Sequence, residues 1–153
     1  MSKMDESHSA TDHAAKSIYW RLLFTAWLIA CVSTLGALFF SEVMLRTPCV
    51  LCWYQRIFMF PLVFVLGVGL LPFDPRSVRY AVPLAVTGWG FALYHCLLYM
   101  GFIPKSLQPC TQGISCAEVK LELFSFVTIP LLSLLAFTLI IALLWAVRKG
   151  TKQ

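Results

Sequence analysis

Charge is missing from four long stretches of this chain. Twenty uncharged residues separate Arg21 from Glu42, counting 20 positions. Arg46 and Asp74 enclose 27 residues broken only by Arg56, and two further stretches of 25 lie between Arg79 and Lys105 and between Glu122 and Arg148. A helix needs roughly 20 apolar residues to cross the hydrocarbon core of a bilayer. The pattern therefore predicts four transmembrane helices, near 20–41, 48–71, 80–102 and 123–147. Together they form one membrane domain over 20–147. Residues 1–19 are predicted to be a disordered tail and 148–153 a short basic one. Helices joined by short loops are antiparallel neighbours, so the fold class is all-α, an integral-membrane antiparallel four-helix bundle.

Composition agrees with this reading. Of 153 residues, 59% are hydrophobic and 12% charged, about half the charged share of a soluble domain. The first apolar block does not read as a cleavable leader. Asp5, Glu6 and Asp12 precede it, and no small-residue cleavage site follows. His8 and His13 are scattered in the tail and read as solvated. Basic residues set the orientation. Lys3, Lys16, Arg21, Arg76, Arg79, Arg148, Lys149 and Lys152 belong to one side, whereas Arg46, Lys105 and Lys120 belong to the other. Both termini are predicted cytoplasmic, and this bias accounts for the net charge of +5 without nucleic acid.

With that orientation Cys49, Cys52, Cys110 and Cys116 all face away from the cytoplasm, where disulfides persist. Cys31 and Cys96 fall within apolar blocks and read as small packing residues. Pro61, Pro83 and Pro130 fall in three of the four helices, where neighbours can satisfy the freed carbonyls. Leu71-Pro72-Phe73-Asp74-Pro75 is a breaker before the third. In the long loop, Ser115-Cys116-Ala117-Glu118 matches a capping box, with Cys116 at the first helical position.

The chemistry concentrates at Thr47-Pro48-Cys49-Val50-Leu51-Cys52. Thr47 suits the N-cap and Pro48 the first helical position, which would place both cysteines in the opening turns of a helix. Free N–H groups and the positive end of the helix dipole stabilise a thiolate there, and the thiolate is the species that attacks disulfides. Two cysteines at this spacing also occur in metal sites, and Cys110 and Cys116 would complete a set of four. Arg56 follows Cys52 by four residues, so Cys49, Cys52 and Arg56 share a stripe. An arginine inside a membrane helix is a functional candidate, although its head could also snorkel to the phosphates. It could hold down a thiolate or bond a carbonyl oxygen of a bound electrophile. His95, in the third helix, is either bonded to a neighbouring helix or placed to donate to a cofactor or move protons. Trp53, Tyr54, Phe58, Trp89, Tyr94, Tyr99 and Phe102 form an interfacial belt or line a slot for a flat ring.

The run Pro48-Cys49-Val50-Leu51-Cys52-Trp53-Tyr54-Gln55-Arg56 closely resembles the hallmark of the DsbB family of disulfide bond formation membrane proteins. Its tryptophan, its glutamine and the short second loop resemble the compact BdbC-type members. The resemblance covers 20–147 and implies a quinone-linked protein disulfide oxidoreductase of a prokaryotic cytoplasmic membrane. Such an enzyme re-oxidises an extracytoplasmic thioredoxin-fold thiol oxidase of the DsbA or BdbD type and passes the electrons to a membrane quinone, ubiquinone or menaquinone. Residue by residue, the resemblance implies that Cys49 and Cys52 are the quinone-coupled pair. Cys52 would form a thiolate–quinone charge-transfer complex. Arg56 and His95 are expected beside the quinone ring, and Cys110 and Cys116 exchange with the partner. Well-known members carry a much longer segment between the last two cysteines, so their docking geometry does not transfer.

The same parts suit other readings. A vitamin-K-epoxide-reductase-like enzyme also combines four helices, a cysteine pair and quinone, but its pair belongs to a later helix. A non-enzymatic membrane protein could bind a soft metal through four cysteines. Two inert disulfides could simply clamp the loops. The reading preferred here is the oxidase, with no resident metal.

Overall fold

The computed structural model describes residues 2–45, 48–102 and 128–151, with side chains from residue 15 onward. Four helices account for most of them: α1 (Ser2–Leu38), α2 (Val50–Leu70), α3 (Ser77–Tyr99) and α4 (Ile129–Gly150). A π-helical turn, Phe39–Val43, extends α1. The spans Ala15–Val43, Val50–Leu70, Ser77–Tyr99 and Ile129–Gly150 are each long and apolar enough to cross a membrane. The chain is thus an all-α bundle of four membrane-spanning helices, as the charge-free stretches predict.

Two boundaries differ from the expectation. The first helix reaches back to Ser2, where a disordered tail is predicted. No glycine or proline occurs before Gly36, so nothing in the chain stops a helix that continues from the membrane span. The second helix begins at Val50, with Cys49 rather than Thr47 at the N-cap. Thr47 lies outside the described residues. So do the first part of the predicted fourth helix, the capping box at Ser115, and Cys110 and Cys116.

The helices form a closed ring in which α1 packs on α2, α2 on α3, α3 on α4 and α4 on α1. Each contributes an inward row at spacings of three and four residues, the period of one helix face. In α2 the row is Leu51, Gln55, Met59, Leu62, Leu66 and Leu70. In α3 it is Ala81, Ala85, Gly88, Ala92 and His95. The small residues let α4 approach closely. A Cβ on Gly88 would stand 2.5 Å from the Phe137 ring, and Phe137 is fully buried. The outer rows, which include Val32, Leu35, Phe64, Val68 and Trp145, are exposed among the described residues, as suits helices whose outer faces meet lipid.

The tight α2–α3 turn keeps those two helices antiparallel. Asp74 N–H donates to the Gly69 carbonyl at 2.8 Å, and the Asp74 side chain accepts from Arg76 N–H at 2.9 Å. The start of α2 therefore lies beside the end of α3. There a second, small apolar cluster of Cys49, Leu51 and Leu98, flanked by Cys52, Phe91 and Tyr94, sits apart from the main core.

Candidate functional site

Cys49 has extended backbone dihedrals, φ −70° and ψ 166°, and its sulfur accepts a hydrogen bond from Cys52 N–H at 3.4 Å. A sulfur thus occupies the place where a serine or aspartate oxygen commonly caps a helix. The cap carries the Cys49 sulfur to 3.0 Å from the Cys52 sulfur. The two are free thiols, and closing them to the ~2.05 Å of a disulfide takes only a small side-chain rotation.

His95 reaches this pair from α3. Its Nε2 stands 3.9 Å from the Cys49 sulfur, and its Nδ1 stands 3.1 Å from Gln55 Nε2. With the glutamine N–H donating to Nδ1, the neutral ring carries its proton on Nε2, aimed at the sulfur. All three groups are shielded from solvent: Cys49 is 3% exposed, His95 1% and Gln55 7%. Cys49 precedes the apolar span Val50–Leu70. Its thiol is held well below the ordinary thiol range, first by the Cys52 S–H, then by His95 and the Cys52 backbone N–H, with burial opposing them. The result is a centre poised to carry negative charge on Cys49.

Arg56 turns the other way. Its Nη2 donates to the Ala37 carbonyl at 2.6 Å and its Nη1 to Ser41 Oγ at 3.3 Å. Its guanidinium carbon lies 5.5 Å from the centre of the Trp53 ring. Ala37 and Ser41 flank the point where α1 widens into the π turn Phe39–Val43, and Ser41 Oγ also donates to the Ala37 carbonyl at 3.3 Å. The single stripe expected for Cys49, Cys52 and Arg56 is therefore split. Cys49, as a cap, turns to the α3 side and meets His95. Arg56 crosses to α1, and its hydrogen bonds among the described residues go there rather than to a sulfur. Its charge is satisfied inside the protein instead of reaching out to phosphates.

An aromatic stack closes the α2–α3 side. Tyr54 lies 5.1 Å from Phe91 and Phe58 lies 5.5 Å from the same ring, both near-parallel. Cys31 and Cys96 are free and separate from the pair.

Two site residues escape a reading by residue type alone. Gln55 is an uncharged polar residue in an apolar run, and its signal was its register: four after Leu51 and four before Met59, on the inward row. Thr34 is the other. Its hydroxyl is buried without a hydrogen-bond partner among the described residues. Thr25, Thr87 and Thr138 return theirs to the carbonyl four residues back. Thr34 shares a face of α1 with Ala37 and Ser41.

The chain is matched over residues 19–147 by the family model of disulfide bond formation protein DsbB. A "Probable disulfide formation protein" of Metapseudomonas resinovorans is 49% identical over 133 residues, covering 86% of this chain and 92% of the relative. "Disulfide bond formation protein C" of Bacillus subtilis is 40% identical over 133 residues, covering 86% and 94%. A "Probable disulfide formation protein" of Deinococcus radiodurans is 43% identical over 131 residues, covering 80% and 85%. No solved structure matches the chain.

Proposed function

The chain belongs to the DsbB family of disulfide bond formation proteins, and on that premise we propose that it re-oxidises an extracytoplasmic thioredoxin-fold thiol oxidase of the DsbA or BdbD type and passes the electrons to a membrane quinone. The observation that carries this reading is the cysteine pair itself: two free thiols 3.0 Å apart at a helix start, with an imidazole on one side and, one turn further along the helix, a half-buried arginine that reaches to α1.

The residues fit a quinone. Thr34 offers a hydroxyl with no other partner among the described residues, on the α1 face that also anchors Arg56. A quinone has carbonyl oxygens for such donors and a flat ring for an apolar crevice. Arg56 and Thr34 would hold it. When bound, the quinone supplies the two-electron oxidising power that no side chain has.

The chain's own residues handle the sulfur chemistry. The Cys110–Cys116 disulfide meets the reduced partner, and Cys110 is the attacked sulfur. The resulting thiols reduce the Cys49–Cys52 disulfide. One attacks Cys52 or Cys49, and the displaced sulfur departs as a thiolate. Attack on Cys49 releases Cys52 as the thiolate that faces the quinone, and once both thiols are free His95 Nε2–H and the Cys52 N–H stabilise negative charge on Cys49. Gln55 holds the ring in the orientation that makes this donation. The basic residues of the tail, the 72–79 loop and the C-terminus support a topology with all four cysteines outside the cytoplasm.

The test is to mix purified protein and ubiquinone or menaquinone with a reduced thioredoxin-fold oxidase. Quinone should be consumed one for one with disulfide formed in the partner, and Cys52→Ser should abolish both. Absence of quinone consumption and of partner oxidation in the unsubstituted protein would overturn the proposal.

A further inference from the structure

We infer that the reduced centre is also a binding site for a thiophilic cation such as Zn²⁺, held by Cys49 Sγ, Cys52 Sγ and His95 Nε2. These three donor atoms all lie within 4.8 Å of one another. The sulfurs are 3.0 Å apart and the Cys49 sulfur is 3.9 Å from the imidazole nitrogen. Around tetrahedral zinc, with Zn–S ~2.3 Å and Zn–N ~2.0–2.1 Å, the same edges measure about 3.5–3.8 Å. Changes of about 0.8 Å in the sulfur–sulfur edge, about 0.4 Å in the Cys49 Sγ–Nε2 edge and at most about 1.3 Å in the remaining one would turn the constellation into three corners of a tetrahedron.

Gln55 is an independent pointer to the same chemistry. A metal-binding histidine generally has its second nitrogen fixed by an outer partner. Gln55, 93% shielded by the bundle at 7% exposure, stands 3.1 Å from His95 Nδ1. A rotated amide accepts from Nδ1–H as readily as the other orientation donates to it. The accepting orientation frees the Nε2 lone pair for a cation. Charge also balances: both thiols release their protons to solvent, and two thiolates neutralise a divalent ion in a buried place. Arg56, engaged on α1, makes none of its hydrogen bonds into the site. Among the described residues no fourth donor joins the cluster.

The site is gated by redox state. Oxidation to the Cys49–Cys52 disulfide consumes both sulfur donors, so only the reduced form binds. No electron is transferred on binding. A bound cation keeps the pair reduced and blocks thiol exchange, which makes Zn²⁺ an inhibitor of the turnover proposed above. The binding itself does not depend on the quinone reading.

The experiment uses the full chain in detergent with Cys110→Ser and Cys116→Ser, reduced and freed of reductant without oxygen. Titration with Cd²⁺ should produce cadmium–thiolate charge-transfer absorbance that saturates at one equivalent and vanishes after oxidation of the pair. Gln55→Leu should weaken binding about tenfold or more, and His95→Leu further. X-ray absorption of the Zn²⁺-loaded protein, which needs no change at the site, should show two sulfurs and at least one nitrogen. Sulfur-free or nitrogen-free coordination, absorbance that survives oxidation, or the lack of any one-equivalent signal would overturn the inference. None of these readouts uses quinone or partner, so a failed quinone assay leaves this result standing.

Discussion

The hydrogen bond from Gln55 to His95 gives the sharpest test of how the centre stabilises a thiolate. Leucine at position 55 nearly preserves volume on an inward row but removes the amide that faces Nδ1. The ring is then free to carry its proton on Nδ1, and Nε2 stops donating to Cys49. A hydrogen bond to a charged group contributes roughly 1.5–3 kcal/mol. Each pH unit of titration midpoint corresponds to about 1.4 kcal/mol. Loss of the donation should therefore move the Cys49 midpoint upward by about 1–2 units. The sign is definite: Cys49 is held low in the native protein, so weakening a donor raises it. Alkylation of reduced protein at several pH values, read at Cys49 by mass spectrometry, measures the shift. Alkylation in acid should slow, while rates above both midpoints stay alike. His95→Leu should shift the midpoint at least as far, and the double variant no further than His95→Leu alone, because the two residues act in series. A Gln55→Leu profile that overlays the parent, or shifts that add in the double variant, would refute the reasoning.

Three further outcomes follow from the geometry. Arg56→Lys keeps the charge but loses the fork that spans Ala37 and Ser41; the KM for quinone should rise about tenfold or more, read by steady-state quinone reduction, with alkylation of Cys49 unchanged. Gly88→Ala puts a methyl group against the Phe137 ring and should destabilise the bundle by about 1–3 kcal/mol, measured by thermal unfolding in detergent; Phe137→Leu on the same background should recover part of it. Replacing Cys110 and Cys116 with serine should stop oxidation of the partner protein, yet leave the Cys49–Cys52 pair oxidisable by quinone in a single turnover, as followed by thiol trapping.

The chain by itself determined the number of helices, because charge is costly in hydrocarbon and only four stretches of sufficient length are free of it or, in the second, broken by Arg56 alone. It also determined the cysteine pair at the start of the second helix, since Thr47 and Pro48 are residues that open a helix. The inward rows were present too, in the three-and-four spacing of Ala81, Ala85, Gly88, Ala92 and His95, and that spacing would have marked Gln55 as buried. What the chain could not decide was which groups meet across helices. Whether His95 meets a sulfur depends on how α3 runs beside the start of α2, where Gly88 lies against Phe58 and the short turn at Asp74 joins the two helices. The direction of Arg56 was equally undetermined, because its partners are the Ala37 carbonyl on α1 and the Ser41 hydroxyl in the turn that follows, and a backbone carbonyl has no signature in residue type. Cys49 became a cap instead of a helical residue by a shift of two positions, and that shift separates it from Arg56 and delivers it to the imidazole.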